Sequence, residues 1–155
     1  MKTELSHSLN NLSSSPYCCD NTYHILVVDD DEYYNKLLWQ TLVNVSHELR
    51  VVSNKMIDIA SYLDGNTFLA DLDDEKYDQS KLIVFLDYYL SGNLRGIKII
   101  NRLMQLDPKP KVVVVSGVRN KETSVETINA GAYAYLSKDS CTPLVCRILL
   151  EQLLQ

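Results

Sequence analysis

Four apolar runs occur along the chain, and each stops at a polar residue. A continuous apolar run of this length, bounded by polar residues, is typical of a parallel strand that is buried on both faces of a sheet. The four runs, each with the residue where it stops, are Ile25–Val28 with Asp29, Leu82–Leu86 with Asp87, Val112–Val115 with Ser116, and Ala132–Leu136 with Lys138 two residues later. Because ligands of open α/β sheets bind beyond the carboxyl ends of the strands, these polar residues should converge at one sheet edge.

Helical periodicity fills the segments between these runs. Asp31 suits a helix N-cap, and a helix is predicted from about Glu32 to about Arg50, since Leu37, Leu38, Leu42 and Val45 share one face. Further helices are predicted over residues 67–72, 97–106 and 122–130, the last closed by Gly131 at C′. Thr142 as N-cap, with Pro143 at the first helical position, predicts a final helix that runs to the chain end.

The second strand has two possible registers, Leu49–Val52 and Met56–Ala60. We favour the later one, because Leu63-Asp64-Gly65 then provides a turn from this strand into the second helix. Residues 71–79 are acidic and polar, and they are predicted to form a solvated loop before the third strand.

Five successive β–α units predict an α/β fold with a doubly wound parallel sheet and right-handed crossovers. At 155 residues the chain is the size of one domain, which we place at residues 23–155. Residues 1–22 are polar and contain a Ser13–Pro16 break, so they are predicted to form a flexible N-terminal extension.

Composition and charge narrow the range of functions. A formal net charge of −5, with lysine and arginine scattered, argues against a nucleic-acid partner. The chain has neither an apolar stretch long enough to span a membrane nor a secretory signal, which predicts a cytoplasmic protein without a membrane partner. Cys18, Cys19, Cys141 and Cys146 are then expected as reduced thiols, and Cys146 as a small apolar residue of a packed helix.

The residues at the strand ends suit metal-assisted phosphoryl transfer. Asp29, Asp30 and Asp87 would repel one another at one edge unless a cation offset their charge, and Mg²⁺ prefers such oxygen ligands. With the metal bound, one carboxylate can attack phosphorus and form an aspartyl phosphate. Lys138 can then contact a phosphoryl oxygen, and Ser116 can donate a hydrogen bond to another.

These motifs, in this order, resemble the receiver domains of two-component response regulators over residues 23–155. Asp29-Asp30 resembles the family's acidic pair, and Asp87 resembles its phosphorylated aspartate. Ser116 matches the family's serine or threonine position, and Lys138 matches its lysine. Tyr135 falls at the family's aromatic switch position, and Gly96 fits the glycine that ends the phosphorylation-site loop. The resemblance implies a flavodoxin-like fold of five helices and strand order 2-1-3-4-5. The chain departs from the family at Ser91-Gly92, where many members have proline, and at Asp139, where many have proline after the lysine.

The family mechanism implies a role for each residue. Asp30 and Asp87 would bind Mg²⁺ (or Mn²⁺) directly with the backbone carbonyl of Tyr89, and Asp29 through water. Asp87 would take phosphate from a histidine kinase or a histidine phosphotransfer protein, so the chain would catalyse its own phosphorylation and dephosphorylation without being a conventional enzyme. Ser116 and Tyr135 would act as the switch, and bulky Tyr89 and Val118 predict slow self-dephosphorylation.

The resemblance implies a stand-alone receiver that controls an output protein. Its signalling face would comprise the fourth helix, fifth strand and fifth helix, through which it could also form a homodimer. A phosphorelay intermediate or phosphate sink, which returns phosphate to a histidine phosphotransfer protein, is one alternative. A receiver-like scaffold regulated without phosphorylation is another. A flavodoxin-like cofactor module is disfavoured, because the sequence has no Gly-x-Gly-x-x-Gly loop.

Overall fold

The computed structural model of the chain describes residues 22–155. The predicted flexible extension, residues 1–22, lies outside this range except for Thr22, the first residue of a strand. Within the described range, strands and helices alternate as β1 (Thr22–Val28), α1 (Glu32–Ser53), β2 (Met56–Tyr62), α2 (Gly65–Asp73), β3 (Leu82–Leu86), α3 (Gly96–Leu103), β4 (Lys111–Ser116), α4 (Lys121–Asn129), β5 (Ala134–Ser137) and α5 (Thr142–Leu153).

The strands form one parallel sheet of order β2-β1-β3-β4-β5. The chain moves outward from β1 to β2, and then crosses back to place β3 on the other side of β1. This reversal of strand order lies between β1 and β3, where ligands bind in doubly wound sheets. The predicted flavodoxin-like α/β fold is confirmed, with its five strands and five helices in the described part of the chain.

Two apolar layers cover the two faces of the sheet, because alternate residues of a strand point to opposite sides. One layer joins the sheet residues Leu26, Val28, Val84, Leu86, Val112 and Val114 to Phe68 and Leu72 of α2 and Ile99, Ile100 and Leu103 of α3. The other joins Ile25, Val27, Ile83, Phe85, Val113 and Val115 to Leu38, Leu42 and Val45 of α1 and Cys146 and Leu150 of α5. Across residues 22–155 no helix has the length and hydropathy needed to cross a bilayer.

The structure decides between the two registers predicted for the second strand. Met56–Tyr62 forms β2, as favoured from the sequence, and residues 49–52 belong to α1. Asp31 is the N-cap of α1, and its side chain accepts a hydrogen bond from the Tyr34 amide at 3.0 Å. Gly131 follows α4 with φ +112°, a conformation that glycine adopts at little cost.

The prediction that Thr142 is the N-cap of α5 is wrong. Cys141 occupies that position, and Thr142 is the first helical residue. The Thr142 hydroxyl instead accepts a hydrogen bond from the Asp139 amide and donates one to the Ser137 carbonyl, both at 2.7 Å. The threonine therefore stabilises the turn between β5 and α5, one residue later than an N-cap does.

The prediction of a solvated loop over residues 71–79 is also wrong in part. Helix α2 continues to Asp73, and the Tyr77 side chain is buried in the core. The Tyr62 hydroxyl contacts the Tyr77 hydroxyl and donates to an Asp71 carboxylate oxygen at 2.6 Å. Lys76 pairs with the same Asp71 oxygen at 2.6 Å. The polar residues of this segment thus hold a tyrosine in the core.

The described cysteines, Cys141 and Cys146, are free thiols. Cys146 is completely buried between α5 and the sheet, which confirms its prediction as a small apolar residue. Burial raises the pKa of this thiol to about 12, so it stays protonated at neutral pH. Cys18 and Cys19 lie outside the described residues.

Candidate functional site

The backbone hydrogen bonds of the sheet continue one residue beyond the strand ends, and they fix the main chain of the residues at the sheet edge. The amides of Asp29, Asp87 and Lys138 donate to the carbonyls of Tyr62 (3.0 Å), Val28 (2.8 Å) and Ser116 (2.7 Å), respectively. Each donor directly follows a strand that neighbours the strand of its acceptor, so these bonds join the carboxyl ends of β2, β1 and β3 to one another and those of β4 and β5 to each other. The sheet itself therefore brings together the residues that the sequence predicted.

The three predicted acidic residues form one cluster. One carboxylate oxygen from each of Asp29, Asp30 and Asp87 lies within 4.8 Å of the other two. Asp29 and Asp87 are buried, whereas Asp30 is half-buried. Oxygen donors in this number and spacing fit a hard divalent cation such as Mg²⁺. The amide of Tyr89 donates to Asp87 Oδ1 at 3.3 Å, and its predicted metal-binding carbonyl belongs to the same loop.

Lys138 lies between two of these carboxylates. Its Nζ is 2.6 Å from Asp29 Oδ2 and 3.0 Å from Asp87 Oδ2, and its side chain is only 15% exposed. One ammonium thus neutralises part of a buried charge that would otherwise be self-repulsive. The predicted grouping of Asp87 with Lys138 is realised as a direct ion pair.

Burial perturbs the protonation of the site. It raises the pKa of Asp29 to about 6, although the hydrogen bond and charge of Lys138 act in the opposite direction. Burial also raises the pKa of Asp87. Burial alone would lower the pKa of Lys138, but hydrogen bonds and charges from Asp29 and Asp87 outweigh it and raise that pKa. The lysine therefore stays charged while Asp29 titrates unusually close to neutrality.

We expect Mg²⁺ to stabilise the protein more at about pH 7.5 than at about pH 5. The pKa of Asp29 in the folded protein is above its ordinary value of 3.8, so the metal-free protein loses stability as pH rises through about 6. A bound cation offsets the carboxylate charge that causes this loss at higher pH. At lower pH, protons compete with the cation for the same carboxylates. Bound Mg²⁺ should add about 2.7 kcal/mol at a concentration about 100 times its Kd.

Urea unfolding at both pH values, with MgCl₂ or with EDTA, measures this difference. Equal stabilisation by Mg²⁺ at the two pH values would contradict the assignment of Asp29 to the cation site.

The two predicted switch residues are connected through one backbone segment. Ser116 is completely buried, and its Oγ accepts a hydrogen bond from the Val118 amide at 3.3 Å. The Tyr135 hydroxyl donates to the carbonyl of the same Val118. A displacement of either side chain therefore acts directly on the loop that joins β4 to α4.

The side chains predicted to affect dephosphorylation, Tyr89 and Val118, lie at the surface. Tyr89 is 44% exposed and Val118 is 37% exposed. Tyr89 packs edge-on against Tyr88, with ring centroids 4.8 Å apart. Tyr88 is buried and donates from its hydroxyl to Glu126 Oε2 on α4 at 2.6 Å. The residue that follows Asp87 is therefore bonded to α4.

Sequence reasoning missed two polar residues that hold the site together. Buried Asn35 on α1 donates from Nδ2 to the carbonyls of Asp29 and Tyr62, both at 2.9 Å, and so attaches α1 to the ends of β1 and β2. The Ser91 hydroxyl bonds to Asp30 Oδ2 across the site. A polar residue within the apolar stripe of α1 was the available signal for Asn35. No comparable pattern marked Ser91.

Gly96 opens α3 where a side chain would collide with the phosphorylation-site loop. A Cβ atom at this position would lie 2.8 Å from Tyr88 Cα and 2.9 Å from the Asp87 carbonyl oxygen. Both contacts are to backbone, which cannot rotate away. The Gly96 amide also donates to the Tyr88 carbonyl at 2.7 Å. Close approach of two backbone segments thus explains the glycine.

We expect Gly96→Ala to lower the free energy of unfolding by about 1–3 kcal/mol, the usual cost of overpacking a closely packed contact. It should also weaken Mg²⁺ binding, because the backbone that carries Asp87 must move. Gly117→Ala is the matched control, since a Cβ there meets no atom within 4 Å. Urea unfolding and calorimetric titration with Mg²⁺ measure both effects. Equal behaviour of the two variants would contradict this account of Gly96.

A parallel sheet of this strand order, with an acidic cluster and a buried lysine at its carboxyl edge, defines an α/β domain that carries its chemistry at the strand ends. The sequence model of the response regulator receiver domain matches residues 25–148. The chain therefore belongs to the response regulator receiver domain family. Aspartate phosphorylation and Mg²⁺ binding are typical of this family.

Several characterised proteins are similar to the chain. It is 27% identical over 117 residues to the nitrogen assimilation regulatory protein NtrX of Azorhizobium caulinodans, covering 75% of this chain and 23% of that protein. It is 25% identical over 114 residues to the transcriptional regulatory protein ComA of Bacillus subtilis, covering 74% of this chain and 48% of that protein. The chain thus spans less than half the length of these two relatives.

The solved structures include similar receiver domains. The receiver domain of NtrX from Brucella abortus matches with a TM-score of 0.67 and 28% identity, covering 84% of this chain and 97% of that one. The BeF₃-activated DrrB receiver domain matches with the same TM-score at 22% identity, covering 86% and 97%, and supports the fold alone.

Proposed function

We propose that the chain is a phosphorylation-controlled receiver that accepts a phosphoryl group on Asp87 in a Mg²⁺-dependent reaction. The donor is a phosphohistidine of a histidine kinase or of a histidine phosphotransfer protein. The observation that carries the proposal is the position of Asp87, buried at the end of β3 within one cluster of Asp29, Asp30 and Lys138. Catalysis of this kind depends chiefly on positioning and charge neutralisation.

Each residue at the edge contributes one interaction to the transfer. An Asp87 carboxylate oxygen forms a bond to phosphorus as the bond from phosphorus to the donor nitrogen breaks. Asp30, Asp87 and the Tyr89 carbonyl would hold Mg²⁺ directly and Asp29 would hold it through water, and the ion would supply positive charge against the negative charge that develops. Lys138 pairs with a phosphoryl oxygen, and the Ser116 hydroxyl donates to another.

The signal then reaches the face formed by α4, β5 and α5. If Ser116 turns towards the phosphoryl group, it gives up its hydrogen bond from the Val118 amide. The Val118 carbonyl holds the Tyr135 hydroxyl, so the loop and the tyrosine move together. Phosphorylation is thus a population shift between two arrangements of this face, driven by contacts that only one of them makes.

The same face is the proposed surface for an output protein or a second copy of the chain. Val125 and Ile128 of α4 and Tyr133, just before β5, are between 43% and 49% exposed. Apolar side chains grouped at a surface favour association with a partner. The amides of Tyr89 and Val118 bond to Asp87 and Ser116, respectively, and the bulk of these two side chains supports slow attack by water on the phosphorylated form.

Intact mass after incubation with acetyl phosphate tests this function. The expected result is a gain of one phosphoryl group with Mg²⁺ and none with EDTA, followed by decay that takes minutes or longer. A folded protein that binds Mg²⁺ and gains no mass would overturn the proposal. Loss of the label within seconds would contradict only the slow dephosphorylation.

A further inference from the structure

Tyr34 places an aromatic ring against the buried lysine of the site. The Lys138 Nζ lies 4.6 Å from the centroid of this ring. Tyr34 is in the first turn of α1, where its amide donates to the capping carboxylate of Asp31 at 3.0 Å. The N-cap therefore fixes the main chain of Tyr34. This residue faces Lys138, although the two are more than a hundred positions apart in the sequence.

The ring adds a third favourable partner around the Lys138 ammonium. Asp29 and Asp87 take two directions at 2.6 Å and 3.0 Å, and the negative face of the ring takes another. A cation over an aromatic face gains most when both are shielded from water, and this lysine is only 15% exposed.

The ring is also the partner whose charge does not change during the reaction. Phosphorylation converts the Asp87 carboxylate into an acyl phosphate, and a metal ion draws on the same carboxylates. The ring of Tyr34 offers the ammonium the same face before and after these events. Its hydroxyl is buried beside Thr142 of α5 and makes no hydrogen bond of good geometry among residues 22–155, so what Tyr34 presents to the ammonium is the ring.

We propose that Tyr34 is a positioning residue for phosphoryl transfer, holding the Lys138 ammonium desolvated and directed at the acceptor through a cation–π contact. This inference rests on the proposed function, because Lys138 matters only if Asp87 accepts phosphate. It predicts that aromatic character at position 34 matters and that apolar packing alone does not replace it.

Three variants separate the ring from simple packing. Tyr34→Phe keeps the ring and removes the hydroxyl beside Thr142, whereas Tyr34→Leu keeps an apolar side chain without a ring. Tyr33→Leu is the matched control, since the neighbouring Tyr33 is 76% exposed. If Tyr34→Leu does not fold, Tyr34→Met takes its place as the variant without a ring.

The first readout is the NMR shift of the Lys138 ε-methylene protons, measured without Mg²⁺ or a phosphodonor. Ring current should move these protons upfield in wild type, Tyr34→Phe and Tyr33→Leu, and the displacement should disappear in Tyr34→Leu. The second readout is the rate of phosphorylation by acetyl phosphate. It should fall by about 3- to 30-fold in Tyr34→Leu and stay within about twofold of wild type in Tyr34→Phe.

The two readouts distinguish failure of this inference from failure of the proposed function. Unchanged Lys138 shifts in Tyr34→Leu, or equal phosphorylation rates in Tyr34→Leu and wild type, would overturn the role of Tyr34. Equal losses of rate in Tyr34→Phe and Tyr34→Leu would also overturn it, because the ring would then not be the determinant. Absence of phosphorylation in wild type would overturn the proposed function, while the NMR shifts would still report the contact.

Discussion

Asp87→Asn should abolish phosphorylation and at the same time make the metal-free protein more stable. An amide cannot form the aspartyl phosphate, so no mass gain is expected from acetyl phosphate with Mg²⁺. The same substitution removes one of two buried carboxylates that share a single ammonium, leaving Asp29 paired with Lys138 at 2.6 Å. We expect the free energy of unfolding at neutral pH to rise by about 1 kcal/mol.

Intact mass and urea unfolding measure the two halves of this prediction. Asp58→Asn is the matched control, because Asp58 on β2 has a side chain that is 63% exposed. This control should accept phosphate like wild type and change stability by less than about 0.5 kcal/mol. A phosphorylated Asp87→Asn protein would show that another residue is the acceptor.

Lys138→Ala should lower the stability of the metal-free protein, whereas Asp87→Asn should raise it. Like Asp87→Asn, it should impair phosphorylation. Its removal leaves Asp29 and Asp87 buried without a cation, and breaking a buried ion pair in this way costs about 3 kcal/mol or more. The loss should be greatest in EDTA at about pH 7.5 and smaller at about pH 5, where protonation neutralises the carboxylates. Loss of a charged group at the phosphoryl oxygens should slow phosphorylation by about 10²-fold or more.

Urea unfolding with EDTA and with MgCl₂ separates the electrostatic cost from lost packing. Mg²⁺ should restore much of the stability of Lys138→Ala, because it supplies the missing positive charge. Lys121→Ala, at an exposed position at the start of α4, is the control and should behave like wild type. A stability loss that neither pH nor Mg²⁺ alters would contradict the electrostatic explanation.

The strand ends of this protein could be predicted because they depend on short-range pattern and on one topological rule. Runs such as Leu82–Leu86 and Val112–Val115 are buried on both faces, so their composition alone identifies them. Parallel strands align their carboxyl ends, and this brings Asp29, Asp87 and Lys138 to one edge. Strand order was implied by the family resemblance rather than by the apolar pattern.

Contacts made by helices and loops across the site could not be predicted in the same way. Tyr34 reaches Lys138 because Asn35 and the apolar face of α1 orient this helix on the sheet. Ser91 meets Asp30 only because the loop after β3 folds back over the edge. Tyr77 becomes buried through its contact with Tyr62 of β2. In each case the contact joins two segments that are far apart in the sequence, and local sequence patterns do not predict their relative position.

The backbone hydrogen bonds that continue beyond the strands have a consequence for how such a protein can diverge. The amides of Asp29, Asp87 and Lys138 are held by main-chain carbonyls, which every amino acid supplies. Solvent-facing side chains on the helices can therefore be exchanged over evolutionary time without displacing the reactive groups. This tolerance accounts for a fold shared with the NtrX receiver domain at 28% identity, and it leaves the outer surfaces open to diversification towards different partners.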